Sequence, residues 1–189
     1  MHIRTNLINK CIVKNNYKSY LEIGVDDCVN FNDVKIHKKV SVDPNDSRGV
    51  PTFKMTSENF FNVNQDLFDI IFIDGLHIFD VSYNDLTESL KILNPNGTIL
   101  LHDTFPKKYE HQTVPPSDPC WTGDVWKTIL KAQLHLNNIE IKTFDVESGI
   151  TLIKKSQFTH NNSNLKEIYE YEYFMQKYAE ILNLSEYRL

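Results

Sequence analysis

The chain has 189 residues, of which 41% are hydrophobic and 24% charged, the balance of one soluble globular domain rather than a disordered or membrane-embedded chain. A domain of this size buries roughly 70% of the surface its unfolded chain exposes, so neither disulfides nor a structural metal are needed to hold a core. The formal net charge is -5 and no run of Lys and Arg is long enough to track a phosphate backbone, which speaks against nucleic acid as a partner.

Met1 to Lys10 alternates polar and apolar residues without the apolar centre of a signal peptide, and no later stretch reaches the length of a membrane span. Ser19 to Gly24 is the first predicted strand, and Lys39 to Asp43 the second. A weaker third runs from Thr52 to Thr56, with a helix starting near Ser57. Phe68 to Asp74 is nearly continuous in apolar residues, as expected of a strand buried on both faces. Val81, Leu86, Leu90 and Leu93 mark a helix, Asn94-Pro95-Asn96-Gly97 closes it, and Thr98 to Leu101 is the fifth strand.

The polar, proline-bearing segment from Phe105 to Pro119 is too long for an ordinary connection and reads as a lid or substrate loop. A helix is predicted from about Gly123 to Leu136. Ile139 to Phe144 and Gly149 to Lys154 then leave no room for a crossover and should pair as an antiparallel hairpin. The segment 163–187 is expected to carry one amphipathic helix, from Ser163 to Leu184, that packs on the body of the domain, with self-association into a homo-oligomer as the alternative. The whole chain, 1–189, is read as one domain with its core at about 19–155. Cys11, Cys28 and Cys120 cannot all pair and none stands in a CxxC spacing, so a reducing cytoplasm is the expected compartment.

Alternating strands and helices predict a doubly wound α/β domain with a mainly parallel sheet, in which ligands gather outside the carboxyl ends of the strands. Gly24, Asp43, Asp74 and His102-Asp103-Thr104 stand at those ends. Glu22 and Gly24, followed about twenty positions later by Asp43, outline a nucleoside site whose carboxylate accepts hydrogen bonds from ribose hydroxyls. No glycine follows Gly24 until Gly49, and Asp26 and Asp27 would repel a pyrophosphate, so a dinucleotide suits the pattern poorly. S-adenosylmethionine carries no phosphate and two cationic centres, which suits it better.

Tyr20 to Val25 (YLEIGV), Phe68 to His77 (FDIIFIDGLH), Leu90 to Gly97 (LKILNPNG) and Leu101 to Thr104 (LHDT) together resemble a branch of small class I S-adenosylmethionine-dependent methyltransferases. Trp121 to Trp126 and Gly149 to Lys154 continue the likeness, which covers roughly Ser19 to Lys155. The resemblance implies a Rossmann-like α/β fold: a mainly parallel seven-stranded sheet with a C-terminal antiparallel hairpin and helices on both faces. It also implies methyl transfer to the oxygen of a small or sugar-like acceptor. The family has a glycine where this chain has Cys28, which opens the alternative of a cofactor-free binding or assembly module.

Methyl transfer from a sulfonium asks the protein to align donor and acceptor and to deprotonate an alcohol. By position in the resemblance, His77 is the expected base; His102 is a second candidate base or an orienter, and Asp103 stands beside them. Glu22, Gly24, Asp43 and Asp74 face the cofactor, and Ser57 lies near its adenine. Asp74, Asp103 and Thr104 match the ligand positions of metal-dependent relatives that bind Mg2+ or another divalent cation.

Overall fold

The computed structural model describes residues 2–157 and 164–186. The chain forms two compact units, Met1–Leu76 with Asn84–Leu100, and His77–Tyr83 with Leu101–Leu189.

The first unit is built around β1 (Ser19–Ile23) and β4 (Phe68–Ile73), which pair in parallel. Every residue of the two strands is buried except the half-buried Asp69, which explains their almost unbroken apolar sequence. Parallel to β1 on its other side runs β2 (Lys38–Asp43), followed by the short β3 (Phe53–Lys54). With β5 (Leu93–Leu101), the strand order is β3-β2-β1-β4-β5. Ile23 stands opposite both Val42 and Ile73, so Gly24, Asp43 and Asp74 leave the sheet at one edge.

β5 begins at Leu93, five residues earlier than the sequence suggests, immediately after α4 (Phe79–Ile92). Tertiary bonds draw Asn94-Pro95-Asn96-Gly97 into extended form. Asn94 Nδ2 donates to Asp69 Oδ1 at 2.7 Å, and the Tyr17 hydroxyl donates to the Asn96 carbonyl at 2.8 Å. Two short helices border the sheet, α2 (Val29–Asp33) and α3 (Ser57–Val63), the latter capped by Thr56, whose hydroxyl accepts the Asn59 amide at 3.3 Å. The unexpected α1 (Ile3–Asn15) buries Leu7, Ile8 and Ile12, a stripe too thin to announce a helix.

In the second unit β6 (Ile139–Phe144) and β7 (Ile150–Lys155) form the expected antiparallel hairpin, with Phe144 opposite Ile150. The two-residue β8 (Leu184–Ser185) lies parallel to β6, giving the order β7-β6-β8. The fold is therefore Rossmann-like, with parallel strands and a C-terminal antiparallel hairpin as expected, but with eight strands among the described residues instead of seven. The eighth could not be read from two residues without an alternating pattern.

Helix α5 (Trp126–His135) starts three residues later than expected. The C-terminal helix α6 (Tyr171–Leu182) starts eight residues later than the expected Ser163, which, like residue 187, lies outside the described residues. Its buried residues are Phe174, Ile181 and Leu182. Phe174 lies 4.7 Å from the Trp126 ring, and Gln133 Nε2 donates to the Ile181 carbonyl at 3.1 Å, so α6 packs on α5 of its own chain. No helix among the described residues is long and apolar enough to cross a membrane.

Candidate active site

The edge of the first unit is set by Gly24. Its φ is +79°, and a Cβ there would lie 2.1 Å from the Asp74 carbonyl oxygen, so no other residue lets β1 turn beside β4. After this turn Asp43 Oδ2 accepts the amides of Val25 at 2.9 Å and Asp26 at 3.2 Å, while Oδ1 accepts Asn45 at 2.8 Å. Asp43 thus ties the loops after β1 and β2, and it retains lone pairs for a ligand because a carboxylate offers about four acceptor sites.

Glu22 lies deeper than the sequence implies. It is 2% exposed, Oε1 accepts Asn30 Nδ2 at 3.1 Å and Oε2 accepts the Tyr20 hydroxyl. Burial, opposed by those two hydrogen bonds, pushes its carboxyl up to about 7. Ser57 opens α3 and hydrogen-bonds the buried Asp85. Asp85 is 1% exposed, its Oδ1 has no partner among the described residues, and burial raises its carboxyl to about 6. Asp74 is paired with Arg4 of α1, Nη1 to Oδ2 at 2.9 Å, a partner that sequence reading missed because α1 was missed.

The second unit carries the titratable cluster. Asp103 has φ +57°, a left-handed conformation rare for a residue with a Cβ, and it turns its carboxylate onto two imidazoles. Oδ2 lies 3.2 Å from His77 Nε2 and 3.2 Å from His102 Nδ1. His102 Nε2 is in turn 3.9 Å from Glu147 Oε2. Glu147 belongs to the turn between β6 and β7, where Glu147, Ser148 and Gly149 all have positive φ, and the Ser148 carbonyl accepts the Phe105 amide at 2.8 Å. A charge in an unassigned turn gives no sequence signal; three successive left-handed residues docked beside Phe105 put it there.

The segment Trp121 to Trp126 supports His77. The Trp121 ring lies 5.2 Å from the imidazole. Gly123, at φ +59°, lets the chain pass His77, where a Cβ would come within 1.7 Å of the His77 carbonyl oxygen. Asp124 Oδ1 accepts the Phe79 amide at 2.7 Å, fixing the start of the helix that follows His77.

Residues 21–104 match the family model described as a methyltransferase domain. Among solved structures, a putative caffeoyl-CoA O-methyltransferase from Staphylococcus aureus aligns with a TM-score of 0.63 and 15% identity over 82% of this chain and 84% of that one. An SAH-bound methyltransferase of Podospora anserina aligns at 0.58 with 16% identity over 82% and 78%, and an SAH complex of a Bacillus cereus O-methyltransferase at 0.59 with 14% identity over 80% and 80%. The family match thus spans β1 to the end of β5, and the solved structures share the fold. Among curated proteins, no sequence matches.

Two features of the chain bear on cofactor and metal binding. Cys28, where the family has glycine, keeps the glycine-like backbone at φ 60° and ψ 11°, buries its thiol, and faces Gly49, whose Cβ would sit 2.7 Å from Sγ. Burial and the carboxylates of Glu22, Asp43, Asp27 and Asp26 raise the thiol above its ordinary range. Arg48 Nη1 meets Asp26 Oδ2 at 2.6 Å and Nη2 lies 3.8 Å from Asp27 Oδ2, so the acidic loop has its own counter-charge. Thr104, expected as a metal ligand, is fully buried, and its hydroxyl accepts from Thr151 at 2.8 Å, which in turn bonds Thr143. One lone pair of the Thr104 hydroxyl is thereby taken by Thr151.

Proposed function

We propose that the chain transfers a methyl group from S-adenosylmethionine to the oxygen of a small or sugar-like acceptor, with His77 as the base. The observation that carries this reading is the Asp103 carboxylate held 3.2 Å from His77 Nε2. An accepted Nε2–H fixes the tautomer and leaves Nδ1 as the basic nitrogen, while the carboxylate stabilises the imidazolium that forms. His102 orients Asp103 from its other side and is itself backed by Glu147.

The residues of the first unit fit the cofactor. Gly24 clears the turn, Asp43 keeps acceptor sites for ribose hydroxyls, and Cys28 preserves the backbone path of the loop despite its side chain. Buried Glu22 contributes charge from behind that turn, which favours a cationic ligand. When bound, S-adenosylmethionine supplies an electrophilic methyl on a sulfonium that leaves as a neutral thioether. His77 Nδ1 is buried, so the loop from Phe105 to Trp121 opens to admit the acceptor and closes to exclude water.

Calorimetric titration with S-adenosylmethionine tests the reading; no binding at millimolar ligand would replace it with the cofactor-free binding module.

A further inference from the structure

The loop between β5 and α5 carries a second set of potential ligands that methyl transfer does not use. His111 Nε2 lies 3.8 Å from Asp118 Oδ1, and with Cys120 Sγ the three ligand atoms all lie within 4.8 Å of one another. We propose that His111, Asp118 and Cys120 bind a zinc ion that clasps this loop.

Imidazole, carboxylate and thiolate together are the donors of a borderline ion, whereas Mg2+ and Ca2+ favour sites made of oxygen alone. Ligand atoms around a tetrahedral zinc at about 2.1 Å stand roughly 3.4 Å apart, so the His111–Asp118 pair needs to close only slightly. His111 is 9% exposed and its backbone is pinned, its carbonyl accepting the Thr122 amide at 2.8 Å, the Gly123 amide at 3.1 Å and the Thr122 hydroxyl at 3.1 Å. Asp118 Oδ1 accepts the Cys120 amide at 2.7 Å, which holds those two ligands side by side. Cys120 is exposed, so its thiol is open to an entering ion.

Binding displaces one proton, from the Cys120 thiol. The imidazole proton moves from Nε2 to Nδ1, giving up the long 3.4 Å contact in which Nδ1 accepts the Lys107 amide. Three protein ligands leave a fourth position for water. Because Trp121 follows Cys120 directly and its ring lies 5.2 Å from His77, the ion would hold that ring in place over the imidazole.

Cobalt reports the site. The full-length chain, reduced and stripped of metal, is titrated with Co2+ and then Zn2+. One equivalent of Co2+ with a thiolate-to-cobalt charge-transfer band, bleached by Zn2+, is the expected result. Cys120→Ser loses the band, Asp118→Asn moves its appearance to higher Co2+, and Cys28→Ser and Cys11→Ser retain it. No charge-transfer band in the parent protein, including cobalt bound without one, overturns the proposal, as does a band that survives Cys120→Ser. The readout is independent of methyl transfer, so the site stands or falls separately from the proposed activity.

Discussion

Asp103 concentrates the chemistry in one strained residue. A left-handed aspartate costs about 1–2 kcal/mol relative to ordinary backbone, and here the same turn of the chain aims its carboxylate at two histidines. Asp103→Asn keeps the backbone but removes the charge that fixes the His77 tautomer. Turnover in both Asp103→Asn and His77→Ala should fall by about 100-fold or more, with the dissociation constant for S-adenosylmethionine unchanged. Steady-state kinetics beside calorimetry checks this, and turnover unchanged in both would remove the assignment. Glu22 makes a separate prediction in the first unit. Its carboxyl titrates at about 7, so the negative charge is present above that pH and lost below it. Affinity for the cationic cofactor should therefore rise as pH increases through 7, and the dependence should flatten in Glu22→Gln. The strand-end aspartates and histidines were legible in the sequence because they fall at motif positions. Glu147 and Arg4 were not, since their roles exist only after a turn and a helix far along the chain have folded.

At the scale of elements, loop and cap geometry decides more than composition. Cys28 sits in the left-handed region as the residue before α2, a place a β-branched side chain resists. Cys28→Gly should leave S-adenosylmethionine affinity intact or improve it, whereas Cys28→Val should abolish it; calorimetry on the pair distinguishes backbone from side-chain effects. Thr56→Ala removes the hydroxyl that accepts the Asn59 amide and should cost about 1 kcal/mol in urea denaturation, a modest loss because the first turn of α3 is exposed. The strands β1, β4, β6 and β7 and the helix α4 could be read from apolar pattern alone, since burial on one or both faces dictates their sequence. The starts of β5 and α6 could not. An asparagine bonded to Asp69 extends β5, and α6 begins two residues after Tyr169, whose ring lies tilted at 5.0 Å from that of Phe79.

For the whole molecule, buried acids make stability depend on pH. The Asp85 carboxyl titrates at about 6 when folded against 3.8 in the reference state. A raised acid binds its proton more tightly in the fold, so the stabilisation is complete below the lower value and is lost as pH rises through the higher one. The difference is worth on the order of 3 kcal/mol. Asp85→Asn should accordingly unfold at higher urea than the parent at pH 8 and at similar urea at pH 4. A variant that is weaker at pH 8 would show that the carboxylate form is required by its neighbours.

The sequence by itself determined the strands and helices between Ser19 and Lys155, the edge at which Gly24, Asp43 and Asp74 emerge, and a resemblance to methyltransferases, because buried periodicity and short motifs are local properties of the chain. Tertiary structure alone decided that Glu22 and Ser57 are turned to Tyr20, Asn30 and Asp85, that Thr104 is enclosed by Thr151, and that Asp103 faces two imidazoles. The direction of a side chain depends on dihedral angles and distant partners, neither of which a pattern of residue types records.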